Sequence, residues 1–274
     1  MGPKLKEVFL PGDIRKLLMG MKDQIMGSSS KVPEEALDLI MSYYADKRVH
    51  HDPGACDLLQ YFKFGDKNFN KAAGLMLENS LSFSCKSLFQ LAMIYANRNV
   101  IGKCGTEQLN DDTFNVIEKA VQSMVEKNDA PTNMYVSQIN WMASVCSAGG
   151  PKSKYFHKMV EIVGKYGAKS PDIISAVLQQ LEHKPALLKQ ATSLSLALVD
   201  AYAFYFDSKI GKCGHANYLK VTIEMKQARD LTAMYLKDGR SKFDAKVVRG
   251  IKSSHSGKKK LMKMLGEHAL LPTQ

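Results

Sequence analysis

The chain has 274 residues, 45% hydrophobic and 24% charged. That is ordinary globular composition, long enough for one large domain or two lobes with real cores, and it excludes wholesale disorder. Its net charge of +11, with an isoelectric point near 9.3, favours a polyanionic partner. Contact with phosphates releases condensed counterions, so nucleic acid comes before a basic surface kept for solubility, and an anionic membrane third.

Taken in order, Met1-Gly2-Pro3-Lys4-Leu5-Lys6 lacks the apolar core of a signal peptide. Lys6 stands where a myristoylation signal wants Ser or Thr, so lipidation is not expected. The first helical segment spans 13–26, with Asp13 as N-cap and Gly27 as stop. Ile14, Leu17, Leu18, Met21 and Ile25 share one face, and Phe9 precedes them. Gly27-Ser28-Ser29-Ser30-Lys31 has linker composition. An amphipathic helix on such a hinge either packs on its own domain or docks on a neighbouring subunit.

Pro33-Glu34-Glu35 opens the next helix, with proline and acids where a first turn favours them. Apolar periodicity predicts further helices near 54–64, 68–81, 84–97, 111–127, 132–147, 152–167 and 170–180. Phe114, Ile117, Val121 and Met124 line the inner face of the 111–127 helix. Residues 185–209 read as one or two buried helices, followed by 217–236, 242–251 and a short basic helix near 257–266. Strand alternation is nearly absent, so the expected fold is all-α. Breaks at Pro131-Thr132 and Gly149-Gly150-Pro151 offer boundaries near 126–132 or 148–152. The division adopted is an arm over 1–32, a first lobe over 33–148 and a second over 149–274.

Ile101-Gly102-Lys103-Cys104-Gly105 recurs as Ile210-Gly211-Lys212-Cys213-Gly214. Coincidence is the simpler reading; the alternative is two loops whose backbone N–H groups approach a phosphate. The five cysteines are scattered, odd in number and without a C-x-x-C pair. They suggest a reducing compartment rather than a disulfide framework or zinc knuckle. No run of about 18 apolar residues is present, so no membrane span is expected.

Catalytic patterns are sparse: there is no G-x-x-x-x-G-K-[ST], G-x-G-x-x-G or G-x-S-x-G. His50-His51-Asp52 and Cys213-Gly214-His215 lack a second matched pair of metal ligands. Asp111-Asp112 reads as helix capping. Asp200, set in an apolar stretch, is a candidate buried carboxylate with a structural role. Neither catalytic residues, a metal nor a cofactor is expected.

Basic residues carry more. Arg240, Lys242, Lys246, Arg249, Lys252, Lys258, Lys259, Lys260 and Lys263 crowd the C-terminal stretch, and within it only Asp244 opposes them. Several fall on one helical face, a pattern that suits phosphate contact or a basic tail. Lys152, Lys154, Lys158 and Lys165 form a looser set on a helix opened by Gly149-Gly150. Aromatics beside Lys86 and Lys154 suit stacking on single-stranded bases, though core packing is their commoner use.

The order of segments resembles the nucleoproteins of phenuiviruses, segmented negative-strand RNA viruses of the phlebovirus and tenuivirus group. The residues that carry it are Pro33–Tyr44, Asp57-Leu58-Leu59-Gln60-Tyr61, Phe69–Leu81, Met134 through Trp141, and Leu198-Val199-Asp200-Ala201-Tyr202 through Lys209. They are spaced patterns over most of the chain rather than one diagnostic motif. The resemblance implies a two-lobed helical nucleoprotein fold that holds single-stranded RNA in a basic groove. It implies an exchanged N-terminal arm that builds rings or filaments, a viral polymerase as further partner, and a place in the virion and host cytoplasm. The family's Arg-Gly-Asn-Lys cluster meets Phe83-Ser84-Cys85-Lys86 here, so only Lys86 carries over, and a family arginine falls on Lys209 or Lys212. The expected RNA contacts are therefore Lys86, Lys103, Lys152, Lys154, Lys209, Lys212, Arg240, Lys242, Lys246 and Arg249. The expected assembly residues are Phe9, Ile14, Leu17, Leu18, Met21 and Ile25. A basic matrix protein layered under an anionic membrane is the second reading, and a small helical enzyme or adaptor the third.

Overall fold

A computed structural model describes residues 11–21, 32–46, 54–99, 109–127, 135–268 and 270. Among the described residues 82% are helical, in 14 α-helices and short 3-10 and π turns, and there is no strand. The all-α expectation holds. The helices fall into two compact units, 1–129 and 130–274.

In the first unit, α1 (Pro11–Gly20) precedes α2 (Glu34–Ala45), a 3-10 stretch (Ala55–Tyr61) and α3 (Lys67–Glu78). Then come α4 (Cys85–Asn99) and α5 (Asp111–Lys127), which form the main helix pair of this unit. Asn110 caps α5: its side-chain oxygen accepts from the Thr113 backbone N–H at 2.8 Å, relieving one orphan donor of the first turn. The apolar stripe read from sequence is the one buried, with Phe114, Ile117, Val121 and Met124 inside. Beneath it, Tyr43, Tyr44 and Phe83 are fully buried and meet edge-on or tilted, with ring centroids 5.2–6.5 Å apart. The Tyr44 hydroxyl donates to the Ala55 carbonyl at 2.6 Å, so its polar end is satisfied inside the core.

α1 packs on α2 and on the 3-10 stretch of its own chain. Leu18 is 2% exposed, which removes a leucine side chain from water at about 1.5–3 kcal/mol. The Tyr61 hydroxyl donates to the Leu18 carbonyl at 2.5 Å, and Arg15 pairs with Asp57 at 3.0 Å. Gly54 makes room for this pair: a Cβ there would stand 2.5 Å from the Arg15 guanidinium. Of the six assembly residues, Leu18 is therefore buried on its own unit. Ile14 is half-buried, and Leu17 and Met21 are exposed. Phe9 and Ile25, like most of the 1–32 arm, lie outside the described residues.

The second unit begins with α6 (Val136–Ser147), followed by α7 (Lys154–Gly167), α8 (Pro171–Leu181) and α9 (Pro185–Gln190). α6 packs on α7 and α8, so it belongs to this unit. The 148/149 boundary read from Gly149-Gly150-Pro151 thus falls inside the second unit. Gly150 there only turns the chain, at φ 76°. α10 (Thr192–Lys212) is the central helix and touches α7, α8 and α11 (Tyr218–Tyr235). The chain continues through α12 (Gly239–Phe243), a π-helical turn (Asp244–Val248), α13 (Arg249–Ser254) and α14 (Lys259–Glu267).

A candidate phosphate-binding face in the C-terminal unit

From α12 to α13 the chain is one helical rod with a buried and an exposed side. Phe243, Val247, Val248 and Ile251 are buried, against at most 2% exposure each. Arg240, Lys242, Lys246, Arg249 and Lys252 face solvent. Two features fix the rod. At its start, Asp238 adopts a left-handed φ of 60°, and Gly239 lies directly on α11. A Cβ on Gly239 would stand 2.5 Å from the Thr232 carbonyl oxygen and 2.8 Å from the Ala233 Cα, both backbone. In its middle, the π turn widens the spacing by one residue, a device that recurs at functional sites. It sets Asp244 against Arg229 at 2.5 Å while Lys246 stays outside.

Acids from other helices thin this cluster. Lys246 pairs with Asp200 of α10, and Arg240 pairs with Asp230 of α11 at 2.9 Å. All four side chains are about half exposed or more, so each pair is worth about 0–1 kcal/mol and a phosphate can compete for the cation. Lys242, Arg249 and Lys252 have no carboxylate partner among the described residues. They form the unopposed part of the face. Asp200 itself corrects an expectation. It lies on the outer side of α10, 57% exposed, and is not a buried carboxylate.

Lys258 and His255 also leave the basic cluster for structural work. The Lys258 ammonium donates to the Ile210 carbonyl at 2.5 Å, neutralising the C-terminal end of α10. His255 meets the Asp207 carboxylate at 3.0 Å. Lys259, Lys260 and Lys263 line the exposed side of α14, opposite the buried Leu261 and Leu265.

Lys209, among the expected RNA contacts, already has partners within its own unit. It is half-buried between α10 and α11, bonded to Glu224 and, at 2.7 Å, to the Tyr205 hydroxyl. Burial alone would lower its ammonium, but the bonds to Glu224 and Tyr205 prevail and hold it above the ordinary lysine range. Its charge is spent inside the unit. Beside it opens a pocket of about 340 Å³ whose walls include Asp172, Tyr202, Tyr205, Glu224 and Gln227. Burial raises the Asp172 carboxyl above its ordinary range; Lys209 opposes the rise and Glu224 adds to it. Tyr202 is raised further, by burial first and then by Asp172.

The remaining expected contacts are scattered. Lys212 is exposed at the last position of α10, Lys152 sits in the turn before α7, and Lys154 opens α7 with its ammonium 4.8 Å from the Tyr155 ring centre. Lys86 is exposed in the first turn of α4, in the other unit. Lys103 lies outside the described residues, as do the first copy of the pentapeptide repeat and His50-His51-Asp52. The second copy closes α10, with Cys213 and Gly214 extended before a 3-10 turn. Lys252, not among the residues expected to contact RNA, also lies on the exposed face. Its spacing from Arg249 carried that signal.

A second pocket of about 340 Å³, in the first unit, includes Cys56. The Cys56 thiol donates to the Ser87 carbonyl, and burial pushes its ionisation far above the ordinary cysteine range. A neutral, hydrogen-bonded thiol is a poor nucleophile. Among the described residues no cluster of three or more His, Cys, Asp or Glu is placed to hold a metal, and no helix is long and apolar enough to cross a membrane.

No protein-family model, no curated protein and no solved structure matches this chain.

Proposed function

We propose that the chain is a nucleoprotein that coats single-stranded RNA by sequence-independent contacts to the phosphate backbone. The observation that carries the reading is the solvent face of α12–α13, with Lys242, Arg249 and Lys252 unopposed and Arg240 and Lys246 only weakly paired. Such a row of cations on one rigid rod neutralises successive phosphates without reading bases. Lys212, Lys152 and Lys154 add exposed positive charge to the same unit. The net charge of +11 supplies the long-range attraction. The resemblance to phenuivirus nucleoproteins supports single-stranded RNA as the polyanion.

Assembly through α1 belongs to the same reading. Leu18, Arg15 and the Tyr61 bond would make the same contacts whether α1 comes from its own chain or from a neighbour, because the seat is unchanged. Exchange of such a segment costs little and builds rings or filaments.

Fluorescence anisotropy with labelled poly(U), read across a salt series, tests the RNA reading. Binding that weakens steeply with salt supports it. Tight binding to anionic vesicles with no binding to poly(U) would favour the matrix reading instead.

A further inference from the structure

Three serines close the basic rod: Ser253 and Ser254 end α13, and Ser256 sits in the turn before α14. All three are exposed, and none of their hydroxyls makes a hydrogen bond among the described residues. The segment is pinned on both sides, by His255 on Asp207 and by Lys258 on the Ile210 carbonyl, while Gly257 between them faces open space. Cations crowd it: Arg249 and Lys252 before, Lys259 and Lys260 after. Nothing in the packing uses these hydroxyls, and an exposed turn flanked by cations is what an enzyme with an acidic substrate groove can grip.

We propose that Ser253, Ser254 and Ser256 are a phosphoacceptor cluster for a protein kinase that selects basic flanking residues, with Ser256 the principal acceptor. This inference rests on the RNA reading for its consequence, not for the acceptor chemistry. The serine Oγ attacks the γ-phosphorus of a nucleoside triphosphate. An O–P bond forms, the bond to the leaving nucleoside diphosphate breaks, and the hydroxyl proton passes to the kinase's base. Each phosphate brings about −1.5 to −2 charges at neutral pH. Two of them cancel most of the charge of Arg249 and Lys252, which end the face expected to meet the RNA backbone, and of Lys259 and Lys260 on α14. Phosphorylation therefore releases RNA. Ser256 is the best placed because it lies exposed in the turn outside the helix, where a kinase reaches its hydroxyl without unwinding α13.

The test uses the full chain with Mg-ATP and a purified kinase of basic-residue specificity. Mass spectrometry locates the phosphate, and poly(U) anisotropy follows at about 100 mM salt. The expected result is phosphate within 253–256 and affinity for poly(U) lower by about tenfold, from the lost phosphate contacts. The Ser253→Ala, Ser254→Ala, Ser256→Ala triple variant keeps the affinity after the same treatment. No phosphate in this segment while a control peptide is modified would overturn the acceptor site. Phosphorylation there with unchanged poly(U) affinity would overturn the switch. A chain that fails to bind poly(U) before treatment refutes the RNA reading, and with it the switch, whereas phosphate uptake still decides the acceptor site.

Discussion

The Lys246 ammonium rests on the Asp200 carboxylate, joining the outer side of α10 to the basic rod that runs beside it. The pair shows how a cluster that looks unopposed along the chain is thinned by acids from other helices. Asp230 does the same to Arg240. What remains free is a shorter row, and it sets the first prediction.

Lys242→Glu combined with Arg249→Glu should weaken poly(U) binding and lower the slope of log affinity against log salt by about two, one per lost phosphate contact. Lys209→Ala should leave that slope unchanged and cost about 1–2 kcal/mol of stability, because Glu224 and Tyr205 lose a half-buried partner. Urea unfolding and the salt series, run on the same proteins, separate the two outcomes.

Gly239→Ala should destabilise the second unit by about 1–3 kcal/mol, since the new Cβ meets backbone that cannot rotate aside. Chemical denaturation measures the loss. The same change at Gly250, which has open space around it, should cost far less than the Gly239 variant.

Stability should fall in alkali. Burial pushes the Cys146 thiol up to about 12 from its ordinary 9.0, so the fold favours the neutral thiol. That contribution is whole below pH 9, where the unfolded thiol is also neutral, and is lost as pH rises from 9 towards 12. Each thiol of this kind adds a slope of about 1.4 kcal/mol per pH unit in that window. Cys146→Ala should flatten the alkaline limb of the stability profile. At pH 8 in the native state, the partly exposed Cys213 should react with a thiol reagent well before Cys56, Cys85 or Cys146, which are buried.

Tyr61→Phe should loosen α1 from its seat, because the Leu18 carbonyl loses the hydroxyl that ties it to the 3-10 stretch and keeps only the Met21 N–H of its own segment. The expected cost is about 1 kcal/mol. Faster amide exchange across α1, with α4 and α5 unchanged, reads it directly. If α1 exchanges between chains, the same variant shifts the oligomer towards monomer.

Helix positions were legible because burial follows period. Phe114, Ile117, Val121 and Met124 repeat at three and four residues, and α5 occupies the segment that pattern marks. Asp200 was misjudged because apolar neighbours in the chain suggest an apolar surrounding. Spacing said otherwise: Leu196, Asp200, Phe204 and Asp207 follow one helical row, and all four are exposed. The single Pro33 and the Gly-Ser run separate α1 from α2 in sequence, yet the partners that seat α1, Asp57 and Tyr61, are long-range and carry no local mark. The same holds for Glu224, which pairs with Lys209, and for the backbone contact that demands Gly239. Patterns along the chain show which residues turn outwards on a helix; they do not show which opposite charges arrive from elsewhere.

The salt dependence of poly(U) binding by the intact chain tests the central claim most directly. Log affinity should fall linearly with log salt, with a slope of about −3 or steeper if Lys242, Arg249 and Lys252 each hold a phosphate. A slope near zero, or no binding at low salt, would contradict the account.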